Sequence, residues 1–283
     1  MRLLRYSWQI SVAVSREKGK DYMIDTSYRK KFLTVNQIWY PDALSISELL
    51  QQKRNADILF VHGVPIEETK GKFRGWQEYH TCMNDLTLSE EKMFAEINKN
   101  VRYECRRSER DGIEIRFYKK AEIVADRKIL DIFAEIYEKM YQSKGIDTKL
   151  NLTAIEKYLE TDSICFSAVW YQNEPIVFHS YIYDVYDTRL LHSASCFREE
   201  SADQNLIGRA NKKLHWEDMK YFKENGILRY DWGGISDFEN PNGIDEFKLK
   251  FGGQKITYYN VFAGNTPLGK LAVTAMKKMK RVN

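Results

Sequence analysis

The sequence predicts an α/β (α+β) protein in which helices flank mixed, largely antiparallel sheet. Three strand-like runs follow one another, Ile164–Trp170, Ile176–Tyr183 and Leu190–Cys196, with connections short enough for an antiparallel meander. Ahead of them Ile129, Leu130, Phe133, Ile136, Tyr137, Met140 and Tyr141 recur at three- and four-residue spacing, which makes one apolar helical face. Behind them a long helix over roughly 203–224 carries Leu206, Ala210, Leu214 and Tyr221 on one face. It ends at Asn225-Gly226 and feeds a strand at Leu228–Trp232.

In chain order, the first hundred residues are turn-rich. Short apolar runs read as strands at Tyr6–Val14, Phe32–Val35, Ile58–Val61 and Trp76–Thr81. Between them Ser45–Leu50 is a helix start, with serines ahead of an apolar periodicity. A clearer helix opens at Thr87 or Ser89, whose oxygens suit free first-turn amides, and Glu90 and Glu91 suit its positive end. It is expected to run through Met93, Phe94 and Ile97 to the basic string Arg102, Arg106, Arg107 and Arg110, and to stop at Asp111-Gly112. Ile113–Tyr118 then alternates as a strand, and Thr153–Leu159 gives a short helix after Gly145 closes the one before. Beyond Trp232 come a short helix around 245–250, a strand at Ile256–Phe262 and a basic amphipathic helix at Leu268–Lys280.

The composition limits the function classes. A chain of 283 residues fits one large domain or two ordinary ones, and 43% hydrophobic with 13% aromatic residues excludes wholesale disorder. The net charge of +4 is compatible with a phosphate-bearing ligand but requires none. Cys82, Cys105, Cys165 and Cys196 show no CxxC spacing and no paired His motif, so they read as reduced core thiols, and no metal is expected. Tyr6–Val14 carries Trp8 and Gln9 and lacks a small-residue cleavage site, which favours a strand over a signal peptide. No run reaches the ~18 apolar residues of a membrane helix. These features give a cytoplasmic expectation, with peripheral membrane contact left open.

The chemistry is expected around Tyr230-Asp231-Trp232-Gly233-Gly234-Ile235, followed by Phe247-Lys248 and Phe251-Gly252-Gly253. Here a strand ends on an acid and a glycine pair, and a lysine returns to the same neighbourhood. Glycines let backbone approach a ligand, and a lysine can stabilise charge developing on an oxygen.

Together with Asp85-Leu86, the stretch Asn100–Arg107 and Gly112-Ile113, these residues resemble the Fem family of peptidoglycan-bridge aminoacyltransferases. The order of elements resembles the GNAT acyltransferase fold, of which that family is a branch. The matches lie in two stretches, Trp76–Ile115 and Leu206–Gly253, in the family's order. The resemblance implies two GNAT-like halves: a degenerate one over residues 1–120 and a second over 121–265. A basic helix at 266–283 would then pack back on the first half. It also implies an acyl or aminoacyl transferase that forms an amide on an amine-bearing sugar or cell-envelope precursor. Its co-substrate would be aminoacyl-tRNA or acyl-CoA, with no tightly bound cofactor. The acceptor would be a nucleotide-linked or lipid-linked sugar or peptide; tRNA is an expected partner and DNA is not. A catalytically silent module gripping a nucleotide-sugar or RNA is the alternative from another class.

Individual residues carry competing readings. Lys248 matches the lysine that the family places near the reacting carbonyl, or it is a solvated lysine beside Lys250. Asp231 orients or deprotonates the amine, or bonds turn amides. Asp85 matches a family carboxylate at the cleft, or caps the next helix. His192 corresponds in position to the strand whose amides bind an acyl carbonyl and could act as a base, or it is a structural sheet histidine; His179 is weaker still. Ser193 and Ser195 line a cleft without being nucleophiles, since no nucleophile elbow is present. Trp232, Gly233, Gly234 and Phe247 complete the expected substrate site. Asn205-Leu206-Ile207-Gly208-Arg209-Ala210 resembles a pyrophosphate loop, with Asn205, Gly208, Arg209 and Ala210 as donor contacts, although Gly208 could instead serve helix packing. Arg102 and Arg106 either bind phosphate or lie on a solvated face paired with acids.

Overall fold

The computed structural model describes residues 23–40, 49, 55–64, 75–199 and 203–279. The strand expected at Tyr6–Val14 and nearly all of the Ser45–Leu50 helix start lie outside them.

All the described strands join one ten-stranded sheet, in the order β1-β2-β3-β10-β4-β9-β8-β7-β6-β5. The first group is β1 (Ile24–Lys30), β2 (Leu33–Trp39), β3 (Ile58–Val64) and β4 (Gly75–Asp85). Strand β1 has no counterpart in the expectation, although Ile24, Thr26 and Tyr28 alternate inward along it. The second group is β5 (Glu114–Tyr118), β6 (Ile164–Tyr171), β7 (Glu174–Tyr183), β8 (Asp187–Ser195) and β9 (Arg229–Ile235). The meander forms as expected. Gln172 and Asn173 both take positive φ (51° and 65°), the geometry of a two-residue hairpin turn. Strand β10 (Gln254–Gly264), late in the chain, lies between β3 and β4 and pairs antiparallel with both. Neighbours are antiparallel except for two pairs, β2 with β3 and β8 with β9.

The helix expected from Ser89 to Arg110 is two helices, α1 (Glu90–Glu96) and α2 (Lys99–Ser108). The break has a local cause. Asn98 turns its side chain onto the Asn100 amide at 2.9 Å, while its own amide donates to the Lys250 carbonyl at 2.8 Å. A short helix α3 (Lys120–Ala125) precedes α4 (Lys128–Gln142) and α5 (Leu152–Glu160).

Helices α4 and α5 cover one face of the second strand group, where Phe133 meets Phe166 and Phe178. The other face carries α6 (Gln204–Glu224), with Ala210 and Leu214 on Val169 and Val177, and Met219 and Phe222 near Tyr181 and Tyr230. Alternate residues of β6 and β7 thus serve opposite layers, as the two-residue period of a strand requires. Helix α7 (Gly243–Leu249) bridges β9 and β10. The final helix α8 (Pro267–Lys278) packs on β10, β4 and β3.

Candidate active site

The site forms where β8 and β9 part. These parallel strands share only three registered pairs, Asp187–Arg229, Thr188–Tyr230 and Arg189–Asp231. Beyond them β8 bulges, so that Leu190 faces Tyr181 and His192 faces Ser180, with Leu191 extra. Strand β9 shifts register against β4 over the same stretch. Gly233 makes the shift workable. Its φ is +71°, and a Cβ there would stand 2.7 Å from the Leu190 carbonyl oxygen.

The wedge leads into a cavity of about 350 Å³. Its walls are Leu190–Ser193 of β8, Trp232 and Gly234 of β9, Ile244 and Lys248 of α7, and Tyr137, Met140, Tyr141 and Lys144 around the end of α4. Trp39, His62, Tyr79 and Asn260 close it from β2, β3, β4 and β10, and Arg189 sits at its base. Three lining residues are cationic, Lys144, Arg189 and Lys248, and none is acidic.

Lys248 is where the sequence reading required it. Its Nζ donates to the Gly234 carbonyl at 2.6 Å, at the mouth of the wedge. Burial lowers its pKa from the ordinary lysine value, with Asp231 and Asp245 partly opposing that shift. Phe247 stands behind it, against His215 and Phe251.

Asp231 has a different position from the one expected. It is 4% exposed, and its carboxylate accepts from Thr81 Oγ1, from the Gly233 amide at 2.8 Å and from Tyr258 OH at 2.8 Å. Arg189 Nε lies 3.5 Å away. Both carboxylate oxygens are therefore engaged, so the group fixes the wedge instead of meeting an incoming amine. Arg189, which the sequence reading missed, lies 4.1 Å from the Tyr79 ring centre and 5.3 Å from that of Trp39. Burial opposes its charge, but Tyr258 and Asp231 outweigh that and keep it protonated.

His192 lines the cavity and meets Ser180 Oγ through Nδ1 at 2.8 Å. Burial pushes its pKa down to about 4, so the ring is neutral near pH 7. Ser193 also lines the cavity; Ser195, two residues on, does not. Trp232 is fully buried and donates from Nε1 to Asn84 Oδ1 at 2.6 Å.

Three expectations are corrected. Asp85 ends β4, and its Oδ1 accepts from the Thr87 amide and hydroxyl at 2.8 and 2.6 Å. It closes a turn, six residues and so about 20 Å along the strand from Tyr79 of the cavity. Asn205, Gly208, Arg209 and Ala210 lie inside the first turns of α6, not in a loop before it. Asp203 caps that helix through the Leu206 amide at 3.0 Å, which puts a carboxylate where a pyrophosphate was expected. Arg209 grips Asp111 through two bonds of 2.8 and 3.1 Å, and Ala210 is fully buried. Arg102 and Arg106 lie on α2 outside the cavity lining, the first bonded to the Ala95 carbonyl at 3.3 Å and the second over Phe94.

On the α6 face of the sheet, His179, His215 and Asp218 are fully buried together. Their polar atoms serve one another and their neighbours. Asp218 Oδ2 accepts from Tyr181 OH at 2.5 Å and lies 2.7 Å from His179 Nδ1. His179 Nε2 meets Asn211, and His215 Nδ1 meets Tyr230 OH at 3.1 Å. The imidazoles stack at 4.0 Å, an arrangement that points their nitrogens sideways and not at one shared ion. The cluster joins α6 to β7 and β9.

No protein-family model and no curated protein sequence matches the chain. Solved structures do. FemX aligns with a TM-score of 0.60 at 14% identity, over 89% of this chain and 86% of FemX. The DUF2156 C-terminal domain assigned to a lysylphosphatidylglycerol synthetase from Agrobacterium fabrum aligns with a TM-score of 0.55 at 13% identity, covering 92% and 86% of the two chains. L-PGS from Bacillus licheniformis gives 0.52 at 13% identity, covering 90% and 85%. The chain thus has a Fem-like GNAT fold, as the sequence resemblance implied. Among the described residues no helix is long and apolar enough to cross a membrane.

Proposed function

We propose that the protein is an acyl or aminoacyl transferase that forms an amide on an amine-bearing sugar, peptide or lipid precursor of the cell envelope. The observation that carries this reading is the Lys248 ammonium beside Gly234, at the mouth of a wedge opened by two diverging parallel strands. An amine attacking an acyl ester there places negative charge on the carbonyl oxygen, and Lys248 is the cation within reach. The amine nitrogen bonds to the carbonyl carbon, the ester C–O bond breaks, and the amine proton leaves with the departing hydroxyl. Holding both reactants in the walled cavity supplies the remaining advantage.

Aminoacyl-tRNA is favoured over acyl-CoA as donor. The segment that resembled a pyrophosphate loop is helix, and its Arg209 is committed to Asp111. The structural neighbours FemX and L-PGS support the cell-envelope setting at the level of fold. Transfer to an amine-bearing precursor should be lost after ribonuclease treatment of the donor, and coenzyme A should give no thermal stabilisation. The Lys248→Ala variant should lower turnover by about 10²–10³ while circular dichroism stays unchanged. Unchanged turnover would remove Lys248 from the mechanism. Ligand binding with no transfer to any amine would instead identify a catalytically silent binding module.

A further inference from the structure

The buried end of the cavity holds three polar side-chain atoms with no hydrogen-bond partner: Arg189 Nη2, His62 Nε2 and Asn260 Oδ1. They arrive from β8, β3 and β10, and all three residues line the cavity that Lys248 enters. Their exposures are 4%, 7% and 4%, so solvent hardly reaches them. A buried polar atom left unpaired lowers stability, and native folds keep few of them. Three converging on one cavity mark a place shaped for a ligand.

Their positions are fixed. The His62 ring lies flat on Trp39, with ring centres 3.5 Å apart and planes within 6°. The Arg189 guanidinium is held over Tyr79 and against Asp231. Asn260 sits in β10 opposite Gln77 of β4.

Their chemistry selects the ligand. Arg189 Nη2 is a charged donor and requires an acceptor, best supplied by an anion. Asn260 Oδ1 is an acceptor and requires a donor, so a bare anion would be repelled there. A fully ionised phosphate offers acceptors alone. A carboxylate with an amino or hydroxyl group on the neighbouring carbon offers both.

We propose that this end of the cavity binds a carboxylate whose adjacent carbon carries a hydroxyl or amino group. The carboxylate meets Arg189, the neighbouring donor meets Asn260, and His62 completes the set. The proposal deepens the transferase reading. A substrate anchored by its acid end would present the rest of its length toward Lys248 and His192.

The test uses the full chain without turnover, so that the subsite and the transferase reading can fail separately. Lactate, propionate, lactamide and inorganic phosphate are titrated by saturation-transfer NMR. Lactate should bind roughly tenfold or more tighter than propionate or lactamide, because each lacks one of its contacts, and phosphate should not displace it. The Arg189→Met variant should lose lactate binding. Because that change disturbs a buried pair, Asn260→Ala serves as the second variant: lactate should weaken to the level of propionate while propionate is unaffected. Equal binding of lactate and propionate, displacement by phosphate, no binding by any probe, or equal weakening of both acids in Asn260→Ala would each overturn the proposal.

Discussion

The sheet contains two parallel strand pairs that end at the same cavity in opposite ways. Strands β2 and β3 pair from Val35–Ile58 to Ile38–Val61, and the next residues, Trp39 and His62, stack flat and shut. Strands β8 and β9 pair from Asp187–Arg229 to Arg189–Asp231 and then separate, one by a bulge and the other through Gly233. A parallel pair by itself therefore does not make a site. What makes one is the residue after the last pair: an aromatic ring that fills the gap, or a glycine that lets the strands diverge. The open end then needs a brace, and the Asp231–Arg189–Tyr258 group supplies it.

The sharpest way to break this contrast is to remove the brace. Asp231→Ala leaves Arg189 buried without its carboxylate and should cost about 3–5 kcal/mol in denaturant unfolding. An effect below ~1 kcal/mol would mean that the wedge is held by something else.

Gly233→Ala comes next, since it forces a side chain into the left-handed region and against the Leu190 carbonyl. A loss of about 1–3 kcal/mol is expected, with transfer activity falling as the wedge is distorted. The matching change at the closed pair, His62→Phe, should leave the stability closer to wild type, because a ring of similar shape still stacks on Trp39.

The acid response should follow. His192 has its pKa lowered in the fold to about 4, against 6.5 for the free side chain. The unfolded chain therefore binds more protons between those values, and stability should fall as the pH drops from about 6.5 toward 4. His62 and His215 are lowered in the same direction, chiefly by burial. His192→Gln should flatten part of this slope in pH-dependent melting; an unchanged slope would show that His192 does not titrate in that window. The smallest effect belongs to Asp85→Ala, which removes a turn bond far from the cavity. It should cost about 1 kcal/mol or less and leave turnover intact.

Much of the fold was legible. The meander, the α4 face and the long helix α6 followed from periodicity, because each element buries a stripe set by its own residues. Lys248 and the Gly233–Gly234 kink were legible as a motif. Arg189 left one signal, a charge in an otherwise apolar run before Leu190-Leu191, which was not used. Trp39, His62, Tyr79 and Asn260 left none, since they reach the cavity from four strands far apart in the sequence.

The sequence by itself determined which segments become helix or strand and placed a lysine after a glycine-kinked strand, because those properties depend on neighbours within a few residues. Only the tertiary structure decided that β10 is laid between β3 and β4 and that Asp231 is a brace. It also turned the Asn205–Ala210 motif into plain helix and brought Arg189, His62 and Asn260 to one cavity. Each of these depends on pairing across the sheet, where residues more than a hundred positions apart become neighbours at hydrogen-bonding distance.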